Sequence, residues 1–140
     1  MIRYIGHPIL FVLLFILIAL GAGGCARPGA TNSADRVRID RVVLLSPEVQ
    51  VSVNLTAEQL AAFIRDSQAQ LAQTVAANTP ALRLIVQFTL QPRASQIVKI
   101  TTHDGADTAL VARLTDALRR AQPLYTRSEP VMAQVHFSAH

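Results

Sequence analysis

Between Leu82 and Leu90 every second residue is a large apolar one: Leu82, Leu84, Val86, Phe88 and Leu90, separated by Arg83, Ile85, Gln87 and Thr89. An extended backbone sends successive side chains to opposite faces, so this period of two predicts a strand with one apolar face and one mixed face. The stretch constrains its surroundings, because the apolar face has to be covered by a second layer. Gln91-Pro92-Arg93-Ala94-Ser95 then has the length of a hairpin loop. Val98 and Ile100 continue the apolar face on a second strand, with Ile97, Lys99 and Thr101 opposite, and the chain turns at His103-Asp104-Gly105-Ala106.

Two segments have helical spacing. Thr56 can cap the N–H of Gln59, while Gln59 reaches back to the Thr56 N–H, which is a capping box; Leu55 and Leu60 stand at the two staple positions beside it. Leu60, Phe63, Ile64, Leu71 and Val75 then share one face, and the helix is expected to end near Ala77, before Asn78-Thr79-Pro80. The second helix starts at Asp107, whose charge suits the positive end of the helix dipole. Leu110, Leu114, Ala117, Leu118 and Ala121 form its buried stripe, Arg119 and Arg120 occupy the favourable last turn, and Pro123 stops it.

Two further regions read as strands. Val131, Ala133, Val135, Phe137 and Ala139 alternate with Met132, Gln134, His136 and Ser138. Val49, Val51, Val53 and Leu55 alternate with Gln50, Ser52 and Asn54 after the turn signal Ser46-Pro47-Glu48, which also predicts a half-buried strand. In the β-branched run from Val37 to Leu45, broken by Asp40 and Arg41, Val42–Leu45 is either a separate strand or the start of a bent one. The resulting order is β-α-β-β-α-β, an α+β two-layer sandwich with two helices on one face of a small antiparallel or mixed sheet. The ferredoxin-like split shares that order.

Charge excludes little but does argue against nucleic acid. Beyond residue 24 there are 12 Lys and Arg against 9 Asp and Glu, a net charge of +3 spread without a block of one sign. There is no Trp, and no basic–aromatic motif of the kind that stacks and neutralises nucleic acid. Cys25 is the single cysteine, so no internal disulfide can form and apolar packing must hold the domain together.

The first residues read as an export signal: Arg3 in a short positive head, an apolar run from Ile9 to Leu20, and small residues at a cut site. Gly21-Ala22-Gly23-Gly24-Cys25 resembles a bacterial lipobox, in which the cysteine is diacylated, palmitate being one such acyl group, and becomes the first residue of the mature protein. This divides the chain into a signal peptide over 1–24, a lipidated Cys25 with a short tether over 25–35, and a folded domain over 36–140. Ala26 to Ala34 is small and polar; fully extended, such a segment reaches roughly 30 Å, which keeps the domain close to its membrane. Two alternatives stand beside it. Ile5 to Ala22 is near the lower length limit for a membrane-spanning helix, giving an uncleaved single-span inner-membrane anchor, and ordinary cleavage gives a soluble exported protein. All three place the domain on the periplasmic side of the cell envelope, and Ala26 after the cysteine favours the outer membrane by resemblance to enteric lipoproteins.

From Thr56 onward the chain resembles the C-terminal domain of TolA and, more loosely, that of TonB. The similar residues are Leu82–Leu90, the Pro92 turn, Ile97–Thr102, Gly105-Ala106-Asp107-Thr108-Ala109-Leu110, Ala117-Leu118, Ala121, Pro123 and the last strand. The strand-to-helix disulfide often found in TolA-like domains is impossible here, the Tyr-Pro motif of TonB domains is missing, and the tether is far too short to cross a periplasm. The resemblance therefore implies a protein-binding module or a subunit of an envelope complex, and not an energy transducer. Partners of such domains often add a strand to a sheet edge, which makes the last strand, through Val131, Ala133, Gln134, Val135, His136 and Phe137, the expected binding edge.

No catalytic signature is present: there is no His-Glu-x-x-His, Gly-x-Ser-x-Gly, phosphate loop, dinucleotide-binding glycine pattern or paired-cysteine metal site. His103-Asp104 lacks a nucleophile and reads as a turn. His136 and His140 lie about 13 Å apart along a strand, too far to share one metal. No cofactor, metal or enzymatic activity is expected. The second functional reading is a carrier of small ligands or lipids, with a cavity under Phe63, Leu71, Phe88 and Leu114.

Overall fold

A computed structural model of the chain describes residues 33–76, 79–103 and 105–140. The alternation at 82–90 forms strand β2 (Leu82–Leu90), with all five apolar residues buried and the residues between them exposed or half-buried. Its hairpin partner is β3 (Ile97–Thr102), antiparallel, with Phe88 opposite Val98 and Val86 opposite Ile100. On its other side β2 pairs antiparallel with β4 (Val131–Ala139), placing Val86 opposite Val135 and Phe88 opposite Ala133. A fourth strand, β1 (Val37–Leu44), pairs antiparallel with the far side of β4. The sheet order is β1-β4-β2-β3. Val42–Leu44 thus belongs to one strand with the residues from Val37, bulged at Asp40 and distinct from the segment after Pro47.

Three helices cover one face: α1 (Glu48–Asn54), α2 (Ala57–Thr74) and α3 (Thr108–Arg120). Helix α2 starts as expected, with Thr56 Oγ1 accepting from the Gln59 N–H at 3.2 Å and Gln59 Oε1 accepting from the Thr56 N–H at 2.9 Å. Leu60, Phe63, Ile64, Leu71 and Val75 are all buried. The helix ends at Thr74, earlier than the expected Ala77, because Val75 turns to extended backbone and carries its side chain into the core. Asp107 caps α3 by accepting from the Ala109 N–H at 3.0 Å. The buried Gln96, in the hairpin loop, donates to the carbonyls of Leu118 and Ala121, satisfying orphan acceptors at the other end of α3. Between β3 and α3 the chain passes through Gly105 at φ +60°, a backbone region that side chains with a Cβ avoid.

The architecture is α+β and two-layered, with an antiparallel sheet, but two expectations are corrected. The segment expected as a strand over Val49–Leu55 is helix α1, so the order is β-α-α-β-β-α-β in place of β-α-β-β-α-β. The domain also begins before residue 36: Ser33–Arg36 forms a 3₁₀ turn that contacts α2.

Candidate functional site

The expected lipidation site, Cys25, and the signal before it lie outside the described residues. The expected binding edge is corrected by the sheet order. Strand β4 is paired along its length with β1 on one side and β2 on the other, so its N–H and C=O groups offer no edge to a partner. Val131, Ala133, Val135 and Phe137 point into the core. Gln134 and His136 point to the opposite face, where the Gln134 amide nitrogen lies 2.8 Å from His136 Nε2. A signal for this placement was present in the sequence. Val131–Ala139 contains no Asp, Glu, Lys or Arg, whereas β1 carries Arg38, Asp40 and Arg41 and β3 carries Lys99. Charges on outer strands discourage edge pairing, and their absence suits a central strand.

The true edges are β1 and β3, and the sheet face opposite the helices is uncovered by any described element. Its two ends differ in chemistry. At one end β1 departs from regular pairing: the register shifts between Ile39 and Arg41, leaving Asp40 as an extra residue. Such a bulge lets residues adjacent in sequence share a face. Arg41 stands opposite His136, Arg38 stands opposite Ser138, and Asp40 Oδ1 accepts from Ser138 Oγ at 3.0 Å. On the other flank of β4, Arg83 faces Ser138. Arg38, Arg41, Arg83, His103, His136 and His140 line an open cleft of about 570 Å³ together with Asp40 and Ser138. The sequence holds each of these residues in plain sight, but only the bulge and the strand order bring them together.

The other end is apolar. The carbonyl of Met132 accepts from the N–H groups of Leu45 and Ser46, and Ser46 Oγ accepts from the Met132 N–H. Leu45, Met132 and, two strands further on, Ile97 are all exposed. Helix α1 follows directly, and its outward valines, Val49 and Val53, are 75% and 56% exposed. Four residues apart on a helix, they share one face.

The carrier reading fares less well at the place where a cavity was expected. Phe63, Leu71, Phe88 and Leu114 are buried in one apolar cluster, and the rings of Phe63 and Phe88 meet edge to face with centroids 5.0 Å apart. The cleft beside Phe63, about 220 Å³, is a surface dent between α2 and the loop at Gln122–Leu124, and it does not reach Leu71, Phe88 or Leu114. Among the described residues no three His, Cys, Asp or Glu are placed to hold a metal ion, and no helix is long and apolar enough to cross a membrane.

A scan against protein families finds no matching family, and searches of curated proteins and of solved structures find no match to this chain.

Proposed function

We propose that this chain is a cell-envelope lipoprotein, diacylated at Cys25 and held on the periplasmic side of the outer membrane, whose α+β domain docks onto another envelope protein. The observation that carries the docking part is the exposure of Leu45 and Met132 at one end of the sheet and of Val49 and Val53 on the helix that follows. Grouped exposed aliphatic side chains are uncommon on isolated soluble domains and mark sites that a partner covers. The TolA-like series from Thr56 onward, strand–strand–Asp–helix–Pro–strand, agrees with β2, β3, α3 and β4 and supports a binding module. The binding surface moves from β4 to this apolar end. A carrier role remains the second reading only if a ligand uses the open face, since the core between helices and sheet is occupied.

Two measurements test this. Mass spectrometry of membrane-extracted protein is expected to find a chain beginning at Cys25 with added acyl mass, absent from Cys25→Ser; an intact Met1 in both samples would indicate the single-span anchor. A photocrosslinker placed in cells at Val49 or Met132 is expected to give one discrete adduct, while the same group at the exposed Arg120 on α3 gives none. The absence of adducts, or equal adducts from all three sites, would remove the docking surface.

A further inference from the structure

The basic end of the open sheet face is unlike the rest of the surface. Arg38, Arg41 and Arg83 bring three guanidiniums to one cleft, with His103, His136 and His140 around them. Asp40 is the one carboxylate side chain among the lining residues, and it already accepts from Ser138. Among the described residues the ion pair is Arg119 with Asp116, on α3, and no described Asp or Glu side chain lies within 4.0 Å of the three cleft guanidiniums. Arg38 and Arg83 flank Ser138 on either side of β4. Two strand spacings separate them, about 10 Å, a span from which two long side chains can converge on one group. Planar guanidiniums bind phosphate oxygens in pairs, with better geometry than any other side chain.

The position of the cleft selects the source of phosphate. Arg38 is the second residue of β1, and the C-terminal His140 N–H donates to the Arg36 carbonyl at 3.0 Å, so the cleft lies where the chain enters the domain. Eight residue steps separate Cys25 from Ser33, which bounds that connection to about 28 Å. On the reading that Cys25 is acylated, on which this step rests, the basic end lies within reach of the bilayer surface.

We infer that the cleft formed by Arg38, Arg41, Arg83, His136 and His140 binds the headgroup phosphates of anionic phospholipids in the membrane to which the chain is tethered. Binding there holds the open face against the lipid at its basic end. Leu45 and Met132 are at the opposite end of the face and stay available to a protein partner.

The test uses the full chain in neutral maltoside micelles, where it does not depend on acylation of Cys25, so a failure of the lipoprotein reading and a failure of this one are told apart. Short-chain phosphatidylglycerol is titrated while the imidazole resonances of His136 and His140 are followed. Saturable shifts of both are expected, with none from short-chain phosphatidylcholine. Arg41→Gln and Arg83→Gln, both at exposed positions, are each expected to weaken binding about tenfold, the equivalent of one lost charge-assisted contact, with amide spectra unchanged. Inorganic phosphate is expected to need far higher concentrations to reach the same shifts. The inference is overturned if phosphatidylglycerol gives no saturable shift, if phosphatidylcholine matches it, or if the arginine variants bind like wild type. It is also overturned if inorganic phosphate or an oligoglutamate peptide saturates the site at equal concentration, since the cleft would then serve a free anion or an acidic protein segment.

Discussion

Two stretches of this chain carry the same alternation and fold differently. Val49–Leu55 reads Val-Gln-Val-Ser-Val-Asn-Leu, and Leu82–Leu90 reads Leu-Arg-Leu-Ile-Val-Gln-Phe-Thr-Leu. The second becomes the strand that the pattern predicts, with every alternate residue buried. The first becomes helix α1. As a strand it would put Val49, Val51, Val53 and Leu55 on one face. As a helix it splits them, burying Val51 and Leu55 and exposing Val49 and Val53. The difference lies in what surrounds each stretch. β2 has a paired strand on both sides. The α1 segment follows directly on β1 and precedes the capping box of α2, while β4, the neighbour it would need, is already paired on both flanks. With no ladder to join, its backbone groups are satisfied internally by a helical turn.

Side-chain hydrogen bonds then fix that turn. Asn54 is 2% exposed, and its Nδ2 donates to the Gln50 carbonyl at 2.9 Å, within the helix. Its Oδ1 accepts from the N–H groups of Ser128 and Glu129 at 2.8 and 2.9 Å, tying α1 to the loop before β4. Gln50 adds a bond from Nε2 to the Pro130 carbonyl at 2.7 Å. Pro47 preceding the helix and Glu48 in its first turn agree with helix-start chemistry. The period-two pattern therefore reports which residues are apolar, and the available partners decide whether the backbone is extended or wound.

Three substitutions probe this comparison. The largest effect belongs to the strand: Phe88→Ala removes a ring packed on Phe63 in the core and should cost about 3–5 kcal/mol in urea unfolding. A cost below that of an ordinary surface change would mean that β2 is not the centre of the core. Next is Asn54→Ala, which removes the buried acceptor of the Ser128 and Glu129 N–H groups and should cost about 1–2 kcal/mol. If α1 were a strand using Asn54 on a solvated face, the change would be nearly neutral. The smallest is the double change Val49→Ala with Val53→Ala. On a helix with both valines exposed it should raise stability by about 0.5 kcal/mol, because alanine is the better helix former. On the expected strand, with both valines on the buried face, the same pair should lower stability. This variant also sharpens the functional reading, since it should lose a partner while remaining fully folded.

Most of the helical layer was legible. The Thr56–Gln59 box, the Asp107 cap and the two buried stripes all follow from side-chain chemistry acting within a few residues, which any reading of the chain can reach. The caps at the other ends were not. Gln96 closing α3, and Asp66 Oδ2 accepting from the Gln122 N–H at 2.8 Å, join residues far apart in sequence. The candidate site divides in the same way. His136 and Gln134 could be placed on the polar face of their strand by alternation, yet Arg38, Arg41 and Arg83 become a cluster only because β4 lies between β1 and β2 and because β1 bulges at Asp40.

By itself the sequence determined where apolar and polar faces alternate, where the two long helices start, that no internal disulfide exists, and that the fold is a two-layer α+β sandwich. These depend on interactions between near neighbours or on composition. The tertiary structure decided the order of the strands, the winding of Val49–Leu55 into a helix, and the meeting of three arginines at one end of the open face. These depend on which backbone hydrogen-bonding edges are already taken, a competition between distant segments that is resolved only when the whole sheet forms.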